Sequence, residues 1–338
     1  MPSRVTIWAI SLLLLSFAAY LAVPIQHRLQ HLTMSTAASS VTRSVTKKVY
    51  AHETPEGKGA LVRRSIGGME LRNLTPFLML DHFHVKVGAF PDHPHRGQTT
   101  VTYMLQGSSD HEDSAGHKGT IETGGVQWMV AGRGIMHAEM PVHAKDQPDP
   151  IGLQLWVNLP AKYKMVEPSY QELTAKKIPI AYPNGKKGGV SLKVISGKSH
   201  GVESPVRPLG GCWYLHWTFT EKDVSVFQDI PAGWTAFIYI LKGTVIVGSE
   251  PLAYEQFHTL VLSTNANETG VLLKSGSSDA EFMLAAAEPI NEPIVQYGPF
   301  VMNTKEEIQQ TIRDYQEGKN GFETAHTWHS EIAQSEMY

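Results

Sequence analysis

From Tyr50 onward the chain alternates short runs of β-branched and aromatic residues with turn formers at close spacing. A chain written that way points to a sandwich or a barrel. Thr99–Leu105 (TTVTYML), Val126–Val130 (VQWMV), Leu153–Asn158 (LQLWVN) and Ser191–Ile195 (SLKVI) are examples of such runs. The segment Pro160–Pro183 is more irregular, and Pro183-Asn184-Gly185 is a strong turn signal. A domain boundary is therefore placed near residue 180. The second half repeats the first in outline. Val101–Gly107 (VTYMLQG) and Phe237–Gly243 (FIYILKG) match as strands ending in the same Leu-polar-Gly turn, and each follows a proline-containing entry, Phe90-Pro91 and Ile230-Pro231. This self-similarity suggests a duplicated unit. A helix is expected only near the end, where Thr304 and Glu307 form a capping box, Ile308, Ile312 and Tyr315 share a face, and Gly318 stops it.

The sequence has room for about two domains with substantial cores. A formal net charge of -3 and 18% charged residues give no sign of the basic patch that direct nucleic-acid binding needs. The single cysteine, Cys212, excludes an internal disulfide framework and argues against thiolate metal binding. The amino terminus differs from the rest. Val5–Val23 is almost wholly apolar, and the stretch from there to His52 carries Arg28, Arg43, Lys47 and Lys48 but no acid. Residues 1–45 are read as a targeting, anchoring or disordered segment. Three readings stay open: a signal peptide or membrane anchor, a transit peptide, or translation from Met34 that deletes the apolar run. Contact with a membrane is expected only through residues 5–23.

The chemistry concentrates in two short segments. Phe90–Gly97 reads FPDHPHRG and Gly132–Met140 reads GRGIMHAEM. Residues two apart on a strand project to the same side, so His93 with His95, and His137 with Glu139, can each converge on one point. One His-x-His pair alone is as easily a surface or core accident. Two such pairs, both beside Gly/Pro turns, fit one metal ion inside a barrel. Three imidazoles and a carboxylate leave two positions of an octahedron open, which suits non-haem Fe(II) better than a closed structural zinc site. His82 and His84 share the same spacing, and His111, His117 and His143 lie nearby. The DHFH run is read as a strand end with two solvated histidines rather than a second metal site.

The wording of these segments resembles the pirin family. FPDHPHRG, Gln127–Pro141 (QWMVAGRGIMHAEMP), Gly152–Leu159 (GLQLWVNL), Met165–Leu173 (MVEPSYQEL), Gly298–Thr304 (GPFVMNT), Val62–Gly67 (VRRSIG) and Asn320–Glu323 (NGFE) carry the resemblance in order over roughly residues 46–330. FLMLD, VTYMLQG and AGHKGTI are closest to plant members. The resemblance implies an all-β fold of two cupin (jelly-roll) barrels in tandem, residues 46–179 and 180–330, with a short C-terminal helix. It also implies one iron ion, Fe(II)/Fe(III), in the first barrel on His93, His95, His137 and Glu139, in a monomeric protein. In register with His93 and His95 the second half has Asp229 and Pro231, so its barrel is read as metal-free.

Two activities follow as expectations from the family. One is quercetin 2,3-dioxygenase-type cleavage of a flavonol with O2, with Glu139 as ligand and base and with Phe90, Met104, Trp128 and Met136 lining the substrate site. The other is a non-catalytic, redox-sensitive nuclear cofactor that binds transcription factors, for which Arg63, Arg64 and Arg96 would supply basic surface. The sequence departs from the family where many members read Phe-Glu-Thr after HPHRG; here Gln98-Thr99-Thr100 follows. The lost acid at Thr99 is expected to leave metal binding intact and to lower oxygenase activity. The apolar segment is the second departure. If it directs secretion, the sequon at Asn267 is the expected glycan acceptor, ahead of Asn73, whose sequon is followed by Pro76.

Overall fold

The computed structural model describes residues 40–57, 60–86, 90–143 and 148–334; the apolar run 5–23 and Met34 lie outside them. No helix among the described residues is long and apolar enough to cross a membrane. Two seven-stranded and two four-stranded antiparallel sheets form two barrels. The first large sheet runs Ser169–Leu173, Val126–Val130, Gln98–Gln106, Ile151–Asn158, Phe77–His84, Ala60–Ile66, His52–Glu56. The second runs Val45–Tyr50, His258–Leu262, Thr235–Lys242, Ala280–Ala287, Cys212–Phe219, Val190–Ser196, Ile180–Ala181. The duplication seen in VTYMLQG and FIYILKG is thus a duplication of whole sheets, with the two motifs in matching places.

Alternation along each strand decides what the two barrels hold. Val101 and Tyr103 on one large sheet, and Phe237 and Tyr239 on the other, share a core in which the two sheets pack against each other. The alternate residues face the barrel interiors. In the second barrel these are Leu215, Trp217, Phe219, Ile238, Ile240 and Leu284, an apolar fill. Each such side chain contributes about 1.5–3 kcal/mol by burial. In the first barrel the corresponding strands carry Thr100, Thr102, Gln154 and Trp156, and an apolar cluster of Val62, Phe83, Met104 and Ile121 occupies only part of the interior. The first barrel forgoes part of that burial to keep a polar interior.

The chain ends cross between barrels. Val45–Tyr50, expected at the start of the first domain, pairs with His258–Leu262 of the second. It takes the position there that Ser169–Leu173 takes on the first sheet. Described residues before 46 also belong to the packed structure. Arg43 is fully buried and donates from Nη1 to the Trp234 carbonyl at 2.6 Å and from Nη2 to that of Pro231 at 2.9 Å.

At the other end, residues 295–334 return to the first barrel. The backbone of Val301 donates to the Arg96 carbonyl at 3.0 Å, and Met136 packs with Phe300, Met302, Ile308 and Phe322. The helix Lys305–Glu317 forms as its caps dictate, with Thr304 and Glu307 in a reciprocal capping box and Gly318 left-handed at its end. Gly97 lets the returning strand approach, since a Cβ there would stand 2.0 Å from the Val301 carbonyl oxygen. Lys164 is buried in the same seam, its three donors matched by Gly97 O (2.9 Å), Asn158 Oδ1 (2.7 Å) and Val301 O (3.0 Å).

Candidate metal centre

The strand Phe90–His95 is the outer member of the first four-stranded sheet and pairs with Ile135–Pro141. His93 stands directly opposite His137, and the register then slips, so that Glu139 faces Phe90. This bulge places one extra residue on the His93 strand between the two pairings. The ring centroids of His93 and His137 are 4.3 Å apart, and His95 lies 4.9 Å from each. One ligating nitrogen from each ring falls within 4.8 Å of the others.

The electrostatics of the cluster suit a cation. Burial, reinforced by the neighbouring His93, holds His95 and His137 well below the ordinary imidazole range, and the neutral ring is the form that ligates metal. His93 Nδ1 is 2.7 Å from the Pro91 carbonyl. A carbonyl can only accept, so Nδ1 carries the proton and Nε2 keeps its lone pair. His137 Nε2 is buried and has no hydrogen-bond partner, a situation that costs about 1–3 kcal/mol unless something answers it. A metal ion held by three converging imidazole nitrogens answers it, so the residues fit such a group.

Glu139 is buried beside this cluster but is not among the groups drawn within 4.8 Å. Its carboxylate accepts from Thr102 Oγ1 at 2.5 Å and from Gln154 Nε2 at 2.8 Å. His93, His95 and Glu139 open onto a cleft of about 670 Å³ whose walls include Met79, Phe83 and Phe90, within the usual range for small-molecule sites.

The expected lining residues divide. Phe90 is on the cleft wall, and Met104 packs against Phe83 and Val62 in the apolar part of the barrel. Trp128 lies instead in the core between the two large sheets, because Gln127 and Met129 are the residues of its strand that alternate inward. Met136 neighbours His137 on the strand and therefore faces outward, onto the C-terminal helix. Alternation also turns Thr99 away from the metal cluster, to the same side as Val101 and Tyr103.

The arginines are not free basic surface. Arg64 donates to Asp81 and Glu56, and Arg96 is buried against Asp314. Arg63 pairs with Glu53 and lies over the Phe257 ring. His82, expected in solvent, contacts the Tyr239 hydroxyl at 3.1 Å across the seam between barrels, whereas His84 is exposed. Four residues of the site escaped the motif reading: Gln98, Thr102, Gln154 and Trp156. The signal was present as a polar residue at alternate positions of QTTVTYMLQ and LQLWVN, strands otherwise apolar on the other face.

A double barrel with two buried imidazoles and one half-buried beside an open cleft in one half, and an apolar fill in the other, defines a bicupin with a candidate metal site. Comparison with known proteins narrows this. The family model described as Pirin matches residues 59–157, and that of the Pirin C-terminal cupin domain matches residues 214–321. A pirin-like protein of Solanum lycopersicum is 52% identical over 85% of this chain and 96% of its own. Pirin of Homo sapiens is 47% identical over 86% and 98%. A solved structure of quercetin 2,3-dioxygenase from Acinetobacter baumannii superposes with a TM-score of 0.75 at 32% identity, covering 83% of this chain and 99% of that one. The chain belongs to the pirin family.

Proposed function

We propose that the protein is an iron-dependent dioxygenase acting on flavonol-type substrates, with quercetin as the representative. The observation that carries this reading is the cleft of about 670 Å³ in which His93, His95 and Glu139 meet apolar walls. His93, His95 and His137 would hold the ion, with Glu139 as the fourth ligand or as the base beside it. When bound, the iron supplies open coordination positions for an anionic oxygen ligand and for O2.

The remaining roles fall to the chain. Phe83 and Phe90 offer edges and faces to a flat aromatic substrate and exclude water from the ring system. Thr102 and Gln154 fix the Glu139 carboxylate from two sides, aiming it at the proton of a substrate hydroxyl entering the cleft. Once that proton is transferred, the same two donors stay paired to the carboxyl group.

The test is aerobic turnover of quercetin by Fe(II)-loaded protein, followed by loss of flavonol absorbance and release of carbon monoxide, beside Glu139→Gln and His137→Ala. Turnover in the wild type that falls at least a hundredfold in both variants supports the reading. An iron-loaded wild type that leaves quercetin intact would overturn it and favour redox-dependent partner binding, measured by pull-down with the Fe(II) and Fe(III) forms.

A further inference from the structure

Gln98 is fully buried where its strand enters the first barrel. Its amide nitrogen lies 2.8 Å from Nδ1 of His95 and 3.3 Å from the Pro299 carbonyl, and its amide oxygen is buried without a partner. The two-strand match that sets Val101 beside Phe237 sets Gln98 beside Trp234, so the buried amide belongs to the barrel with the histidines and not to its twin.

Hydrogen-bond direction makes this contact informative. An amide nitrogen only donates, so in the arrangement shown Nδ1 of His95 accepts and the proton of the neutral ring sits on Nε2. A ring in that state has no lone pair on Nε2 to give to a metal. The other tautomer carries its proton on Nδ1, frees Nε2, and needs an acceptor at Nδ1. Two lie within reach. One is the Pro299 carbonyl, which faces His95. The other is the Gln98 amide oxygen after a half-turn about its last side-chain bond, a turn that gives the orphaned oxygen a partner and takes the amide nitrogen off the Pro299 carbonyl.

We infer that Gln98 is a positioning residue for the metal ligand His95, its amide oxygen accepting the Nδ1–H when Nε2 is given to iron. The inference rests on the metal-site reading above. An acceptor behind a ligating imidazole fixes the ring's tautomer and orientation and raises its basicity, and its loss typically weakens metal affinity 10–100-fold. A more basic imidazole also favours Fe(III) over Fe(II), so the same residue sets the reduction potential of the centre.

The experiment measures Fe(II) affinity by chelator competition, and the Fe(III)/Fe(II) midpoint potential, in wild type, Gln98→Leu, Gln98→Glu and His137→Ala. Metal-free melting curves check that each variant is folded. Gln98→Leu should bind Fe(II) at least tenfold more weakly and show a raised potential. Gln98→Glu, a stronger acceptor of the same length, should recover the affinity and lower the potential below wild type. Wild-type affinity and potential in Gln98→Leu would overturn the inference while leaving the site intact. If the leucine variant fails to fold, an unmoved potential in Gln98→Glu overturns it equally. If wild type and His137→Ala bind Fe(II) alike, the metal-site reading itself fails, which is a different outcome.

Discussion

Arg96 and Asp314 stand 218 residues apart in the chain and meet at 2.9 Å in a site closed to solvent. Arg96 follows the candidate ligand His95, and Asp314 sits on the helix Lys305–Glu317, so the pair ties the C-terminal helix to the strand Phe90–His95. The guanidinium also donates to the Arg133 carbonyl (2.5 Å), Thr311 Oγ1 (3.0 Å) and the Asn320 carbonyl (2.5 Å), and lies over the Phe322 ring. Asp314→Ala leaves a buried cation with carbonyls and a hydroxyl but no carboxylate in hydrogen-bond contact. A loss of about 3–5 kcal/mol is expected, measured by urea unfolding. An unchanged midpoint would show that the tail is an ornament on the barrel.

His93→Ala or His137→Ala should remove metal while leaving a folded protein. Each deletes one of three imidazoles from an interior that is already polar, and the cores of the second barrel and of the inter-sheet layer do not include them. Metal analysis of the purified variants, with circular dichroism as the folding control, checks this. Full occupancy in either variant would remove the ligand assignment.

Thr99→Glu should destabilise rather than rescue. From the sequence, the missing acid at this position was expected to limit oxygenase activity. The side chain is 3% exposed and shares the strand face of Val101 and Tyr103, which pack between the large sheets. A carboxylate introduced into that packed layer costs several kcal/mol unless it finds a partner. A lowered melting temperature with no gain in quercetin turnover is the expected result; a stable variant with higher turnover would place position 99 in the reaction.

His82 should make the protein acid-sensitive. Burial, with Arg63 and His84 adding to it, lowers its pKa from 6.5 to about 4. The native ring stays neutral while the unfolded chain takes up a proton, so this stability is complete above about pH 6.5 and is lost as the pH falls towards 4. The window spans at most about 3 kcal/mol. Unfolding measured from pH 7 to 4 in wild type and His82→Gln checks the sign: the wild type should lose more stability than the variant across that range.

Much of the architecture was legible because it obeys short-range rules. Period-two alternation marked the strands, the Thr304–Glu307 box marked the helix, and the i,i+2 spacing marked the two segments that bring His93, His95 and His137 together, with Glu139 beside the cluster rather than in it. Misplaced were the residues whose direction depends on strand parity in the finished sheet. Trp128 and Met136 are large and apolar and lie close in sequence to the site, yet both face away from it. Gln98, Thr102 and Gln154 are small signals in sequence and central in space. Nothing local in VTKKVY foretold that this strand would pair more than 200 residues away, since Val45–Tyr50 meets His258–Leu262 through backbone bonds that any sequence can make.

That exchange of ends bears on how the protein can be made. A fragment cut to the first barrel's strands would lack the C-terminal helix and Phe322 that pack on its histidine-bearing strands, and a fragment cut near residue 180 would leave the second sheet without its outer ribbon. On a ribosome, Val45–Tyr50 must wait for about two hundred further residues before its pairing strand is synthesised. The strand Phe90–His95 must likewise wait for more than two hundred residues before Asp314 reaches Arg96. The pairing of Val45–Tyr50 and the sealing of the first barrel by its tail are therefore late steps in synthesis, and a message that ends before residue 295 yields a first barrel without its seal.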